Sequence, residues 1–368
     1  MSEFEVVWNE QLQRAAAASE RRRYHQRSLL HDQLVGEEFA GLRAWLRAQA
    51  ALLEVRAAAA LCRRLWDERQ HWSAVYELAA GAALRRAGLR PVYEQRWARP
   101  GGGVQTPDWS VYDQAGRLVA LVEVHTDQPA PDVDAQIRDW RAFGDRLGEI
   151  ARPVIFYLDA PSPPRPPTGK VAKQLVAGLR ANLRQVELTG GFTSHGYHLR
   201  ILADRTGRPV QAPVGLRAQL AWPTPTAGRV DADKLTRKIA GKASKYRALA
   251  AELGVPLVVA VGAEPFTGVT LADFDNLLTG SSTLVLQFNP QDLALGLDSG
   301  EVSMHREAWS MPTALAGVLW LDRDLPFTAT IRPNPAADLP LTGPMADIPD
   351  GTTVDPLPPE PMSPDRPT

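Results

Sequence analysis

The run Leu118-Val119-Ala120-Leu121-Val122-Glu123-Val124-His125-Thr126-Asp127 constrains this chain more than any other segment. Both alternating faces are apolar up to Val122, as in a strand covered on two sides, and a carboxylate then stands at position 123. An unpartnered buried carboxylate is costly, so Glu123 must be protonated, paired or metal-bound. Residues two apart on a strand share a face, which groups Glu123, His125 and Asp127. Upstream, residues 92–97 and 104–112 are rich in Val, Tyr and Trp. They are separated by Pro100-Gly101-Gly102-Gly103, and Asp113-Gln114-Ala115-Gly116 leads into the long run. We read three antiparallel strands, with Asp108 placed to meet Glu123 at the sheet edge.

From Asn9 to about Arg90 there is no proline, and Phe39, Leu42, Trp45 and Leu46 recur at three- and four-residue spacing, so several helices are expected. Gly88 and Pro91 stop the last of them. Beyond the strands, a polar helix at 132–150 leads to a strand at 154–158, whose apolar run suits a central sheet position. Helices near 170–186, 233–253 and 271–278 then alternate with strands near 197–203, 256–261, 283–288 and 317–322. The alternation predicts an α/β fold: a helical N-terminal region over 1–70 and a mixed-sheet core over 71–335. The last 36 residues hold 11 prolines, six acids and one base, so a disordered acidic tail is expected over 336–368.

The 41 Lys and Arg nearly cancel the 42 Asp and Glu. The tail carries net -5 of the total -1, which leaves the rest of the chain at +4. Basic residues comprise 35 Arg and only 6 Lys, and no lysine precedes Lys170. Lys234, Lys238 and Lys242 recur every four residues with Lys245 beside them, a cationic helical stripe of the kind that neutralises phosphates. One cysteine, Cys62, excludes an internal disulfide framework or a multi-thiolate metal site. The start lacks a signal-peptide pattern, and no apolar stretch approaches the roughly 20 residues of a bilayer span, so the expectation is a cytoplasmic protein with no membrane partner.

Glu77 in a helical segment, Pro107-Asp108 on one strand and Glu123-Val124-His125 on the next together resemble the PD-(D/E)XK restriction-endonuclease-like nuclease superfamily. The likeness runs from about Trp72 to Leu158, in the order helix-glutamate, Pro-Asp hairpin, Glu-x-Lys, crossover helix, buried strand. It implies metal-dependent phosphodiester hydrolysis of nucleic acid, DNA ahead of RNA. Asp108 and Glu123 would hold Mg2+ or Mn2+, and Glu77 would be the accessory acid. The alternative on the same fold is a non-catalytic nucleic-acid-binding or assembly module, self-associating through its N-terminal helices.

One position departs from the pattern. His125 stands where the superfamily has a lysine that orients the attacking water. Three readings stay open: His125 acts as base or metal ligand; a distant lysine such as Lys170 or Lys173 reaches the site; or only binding remains. Gln136 and Trp140 partly match a Gln-x-x-x-Tyr seen in exonuclease-like members, but an amphipathic helix packing Ile137 and Trp140 explains them as well. His195 and His198 lack a surrounding ligand cluster, and Thr168-Gly169-Lys170-Val171 fails as a phosphate loop.

Overall fold

Ala, Leu and Arg lose little conformational freedom in a helix, and the first 90 residues are built largely from them. The computed structural model describes residues 3–21, 39–67, 69–99, 101–128, 131–159, 162–163, 165–203, 208–209, 218–221, 232–264, 267, 269–285, 301–305, 307–322, 325 and 327–354. Four helices come first: α1 (Glu3–Arg21), α2 (Ala40–Ala50), α3 (Val55–Leu65) and α4 (His71–Arg86). The hairpin region supplies β1 (Arg90–Tyr93), β2 (Trp97–Ala98), β3 (Val104–Gln105), β4 (Trp109–Tyr112) and the long β5 (Leu118–Asp127). Next come α5 (Pro131–Leu147), β6 (Ile155–Asp159), α6 (Gly169–Ala181), α7 (Leu183–Thr189), β7 (Gly191–Ser194), β8 (Tyr197–Ile201) and β9 (Gln219–Leu220). The chain continues through α8 (Ala232–Leu253), β10 (Leu257–Ala263), α9 (Leu271–Thr279), β11 (Ser281–Val285), β12 (Glu301–His305), β13 (Gly317–Leu321), β14 (Thr328–Pro333) and β15 (Thr352–Thr353).

These elements form an α/β protein of two compact units. One comprises Met1–Leu12, Gln33–Gln128 and Val230–Thr368, and the other comprises Gln13–Asp32 and Pro129–Arg229. The first holds a seven-stranded sheet of order β1-β4-β5-β10-β13-β14-β15. Its centre, β5, β10 and β13, is parallel, and the flanking pairs are antiparallel. All seven residues of β10 are buried, as expected for a strand covered on both faces. On one face lies α4, buried from Ala74 to Leu84. Its Tyr76 ring lies flat against Gly262 of β10, where a Cβ would come within 2.3 Å of the ring, and the Tyr76 hydroxyl donates to Ala263 O at 2.6 Å. The opposite face is covered by α8 through Leu235, Ile239, Ala243 and Tyr246, packed with Leu121, Val259 and Val261.

Three expectations change. The strand expected at 154–158 forms as β6, but it belongs to a four-stranded sheet, β7-β8-β6-β9, in the second unit. The neighbour of β5 is β10 instead, with Leu257 opposite Leu121 and Ala263 opposite Asp127. A parallel partner needs a crossover of a dozen or more residues, and 132–158 and 232–263 both offer helix-then-strand, so periodicity cannot rank them. Residues 129–229 are therefore an insertion between β5 and its crossover helix. The expected boundary at residue 70 is not a division between units, since α2 and α3, which precede it, belong with α4 to the unit that holds the large sheet.

The expected disordered tail is ordered as far as Val354, and 355–368 lie outside the described residues. Proline removes backbone donors without preventing side-chain burial, and Met345, Ile348 and Val354 are buried. Two of the tail's acids are engaged: Asp350 pairs with Arg332 at 2.9 Å, and Asp338 accepts from Thr313 at 3.0 Å. Among the described residues no helix is long and apolar enough to cross a membrane.

Candidate active site

Glu123 is 2% exposed and sits in the α8-facing row of β5. Lys242 Nζ lies 2.7 Å from its Oε1, and Lys245 Nζ lies 3.3 Å from the same oxygen. Both lysines arrive from α8, on the far side of the insertion. At the end of β5, Lys234 Nζ lies 3.2 Å from Asp127 and also donates to Gln128 O at 2.8 Å. Four helical residues advance about 6 Å and two strand residues about 6.6–6.8 Å, so a lysine every four residues keeps step with Glu123, His125 and Asp127 on an antiparallel strand. The lysine stripe that the sequence offers to phosphates is thus paired, at Lys234, Lys242 and Lys245, with the protein's own acids, although Lys245, like Lys238, is exposed.

Asp108 reaches the same place from the turn before β4. Its Oδ2 accepts the Val124 N–H at 2.6 Å, next to Glu123 on the chain. The segment is tied to α8 by Tyr246, whose hydroxyl donates to Thr106 O at 2.8 Å, and by Gln105, whose side chain donates to Lys245 O at 2.7 Å. Burial, then the charges of Glu123 and Glu77, push the Asp108 carboxyl well above the usual carboxylate range, while the Val124 N–H and Lys242 act against them.

Glu77, 3% exposed, is the only charged residue within the buried stretch of α4. It is fully engaged. Arg64 of α3 donates to Oε2 at 2.7 Å and to Oε1 at 2.5 Å, Tyr93 of β1 donates to Oε2 at 2.6 Å, and Ser73 donates to Oε1 at 3.2 Å. The helix is fixed over the hairpin by Trp109, whose Nε1 donates to Glu77 O at 2.9 Å. Trp109 fits there because Gly81 has no Cβ, which would stand 2.3 Å from the indole ring.

His125 does not take a lysine's place electrostatically. Burial first, then the cations Lys242, Lys234 and Lys238, depress its pKa to about 4, so the imidazole is neutral near pH 7. Its Nε2 is buried and has no hydrogen-bond partner among the described residues, as is also true of Glu123 Oε2.

No group of three or more His, Cys, Asp or Glu side chains among the described residues has the placement to hold a metal by itself. The pair Asp108 and Glu123 nevertheless has the chemistry a hard divalent cation accepts: two carboxylates, with water and substrate oxygens for the remaining positions. The unpartnered Glu123 Oε2 and the destabilised negative charge on Asp108 would both be relieved by a cation.

No family model, curated protein or solved structure matches this chain. Glu77, Asp108, Glu123 and His125 thus fall in one region of the first unit. Lys170 and Lys173 lie on α6, and Trp140 is in the core of the second unit with Phe143 and Leu147, the packing role open to it in the sequence. Arg64 and Tyr93 have no sequence signal. Lys242 has one in its spacing, since the four-residue period of the stripe matches the two-residue period of Glu-x-His-x-Asp.

Proposed function

We propose that this chain is a metal-dependent nuclease of the PD-(D/E)XK type that hydrolyses phosphodiester bonds of nucleic acid, DNA ahead of RNA. The observation that carries the proposal is Lys242 Nζ at 2.7 Å from Glu123 Oε1, with Asp108 bonded to the adjacent backbone. It restores an Asp, Glu and Lys set that the linear motif lacks. Asp108 and Glu123 would hold Mg2+ or Mn2+, whose contribution when bound is to neutralise charge developing on the phosphate. Lys242 would orient the attacking water and stabilise negative charge beside it. His125, neutral and without a partner at Nε2 among the described residues, would accept or donate one hydrogen bond to that water.

A nucleic-acid partner also fits the charge distribution. Residues 129–229 hold 14 Lys and Arg against 8 Asp and Glu, a net +6. With -5 in residues 333–368 and -1 overall, the remaining residues sum to -2. The basic character of the chain is concentrated in the insertion, where Lys170, Lys173 and Arg184 are exposed.

The second reading, a non-catalytic binding or assembly module, is favoured by the closed ion network, since Lys242 and Lys245 already neutralise Glu123 and Arg64 neutralises Glu77. Incubation with double-stranded DNA, single-stranded DNA and RNA in Mg2+ or Mn2+ separates the two. Cleavage by the native chain that disappears in Glu123→Ala supports the nuclease. Absence of cleavage on every substrate, or equal cleavage by both proteins, sinks it.

A further inference from the structure

Of the three buried or half-buried acids at the site, one is saturated and one is open. Glu77 receives four hydrogen bonds from Arg64, Tyr93 and Ser73, spread over both oxygens. Glu123 receives lysines on Oε1 alone and leaves Oε2 without a hydrogen-bond partner among the described residues, with the Tyr246 hydroxyl beside the carboxylate. The Arg64 guanidinium cannot shed its proton: burial, the largest single influence, lowers its pKa, but the hydrogen bond to Glu77 and the charges of Glu77, Tyr93 and Asp108 together outweigh it and raise the pKa. A permanent cation therefore stands on the Glu77 side of Asp108.

Two-metal hydrolytic centres place their ions roughly 3.5–4 Å apart, each needing carboxylate oxygen. Here a second ion would have to displace a two-point guanidinium contact and then sit beside the displaced positive charge. We propose that this is a single-ion centre, in which Asp108 and Glu123 hold the one divalent cation and Arg64, locked on Glu77, takes the place of a second. Glu77 is then a positioning residue: it anchors Arg64 rather than binding metal. The proposal rests on the reading of Asp108 and Glu123 as a divalent-cation site.

Titration of the 368-residue chain with Mn2+ by calorimetry, with electron paramagnetic resonance to count bound ions, tests it without any cleavage. The native chain is expected to bind one Mn2+, with no spin-coupled pair. Because removing Arg64 alone strands a buried carboxylate, the informative variant is the charge-neutral double substitution Arg64→Met with Glu77→Gln, its fold checked by circular dichroism. It is expected to bind one Mn2+ with affinity within about threefold of the native chain, whereas Asp108→Asn is expected to bind at least tenfold more weakly. Two ions in the native chain, or a tenfold loss in the double variant, overturns the single-ion centre while leaving the metal site standing. No Mn2+ binding to the native chain removes the metal site and the single-ion inference together.

Discussion

Lys242 Nζ lies 2.7 Å from Glu123 Oε1 although 119 residues separate the two on the chain. The pair joins the crossover helix α8 to the strand β5 across an inserted unit, and it brings a lysine to a motif that has none nearby.

Removal of Lys242 should therefore affect chemistry more than removal of Lys245. Lys242→Ala is expected to lower kcat/KM by about 100-fold or more, the scale for removing one charge-stabilising donor. Lys245→Ala, which removes the longer and more exposed ion pair, is expected to cost about tenfold or less. Equal effects in steady-state cleavage assays would refute the assignment of the lysine's role to Lys242. Chemical denaturation of Lys242→Ala should show a decrease of about 1–3 kcal/mol, below the roughly 3–5 kcal/mol of breaking a fully buried pair, because Lys245 still faces Glu123.

His125→Lys follows from the linear motif as a restoring change, and the fold says otherwise. A cation at 125 would be buried and would face Lys242, Lys234 and Lys238, the charges that add to burial in holding the imidazole pKa at about 4. The variant should lose about 2 kcal/mol or more of stability and gain no activity. A melting temperature at or above that of the native chain contradicts this.

The two depressed histidines should cost the fold stability on acidification from about pH 6.5 to about pH 4, opposed by the single raised carboxyl of Asp108. His125 and His71 are both depressed from 6.5 to about 4, His71 by burial against its bond to Leu65 O. Below pH 6.5 the unfolded chain takes up protons at both histidines while the folded chain does not, so the stability held above 6.5 is lost as the pH drops through this window. Each group contributes about 1.4 kcal/mol per pH unit at most. His125→Gln should make the decline shallower, and denaturation midpoints that do not move between pH 6.5 and 5 would rule the linkage out.

Asp108→Asn should separate function from stability. The Asp108 carboxyl is raised by burial and by Glu123 and Glu77, so its ionised form is a burden on the fold near neutrality. For an acid with a raised pKa, that contribution to stability is present below the unfolded value and lost as the pH rises through the folded one. The amide keeps an oxygen for the Val124 N–H, so Asp108→Asn is expected to melt higher than the native chain at pH 7.5, with the advantage gone near pH 3.5, and to cleave nothing. A lower melting temperature at pH 7.5 would show that the charge is stabilising there.

The inserted unit should govern affinity more than chemistry. Lys170→Glu with Lys173→Glu is expected to weaken DNA binding and to flatten the logarithmic salt dependence by about 2, near 0.9 for each phosphate that is no longer neutralised. Binding measured by fluorescence anisotropy at several salt concentrations, unchanged in the variant, would exclude phosphate recognition at α6.

Much of the architecture was legible in residue order. The all-apolar face of residues 118–122 required a covered strand, the proline-free Ala- and Leu-rich segment required helices, and Glu123 inside an apolar run had to have a partner, because local sterics and the cost of burying charge act over a few residues. Which partner it has was not legible. Two helix-then-strand segments competed for the place beside β5, and their apolar patterns are equivalent to a local reading. Packing of the whole sheet selected α8 and β10, left β6 to a second unit, and turned a stripe of lysines inward onto Glu123 and Asp127. The same long-range packing drew Arg64 onto Glu77 and kept the proline-rich residues as far as Val354 in the fold. Residue order required that a carboxylate in an apolar strand be protonated, paired or metal-bound; that a lysine 119 residues away pairs with it follows from packing, since a register between a helix and a strand exists only once both lie on one sheet.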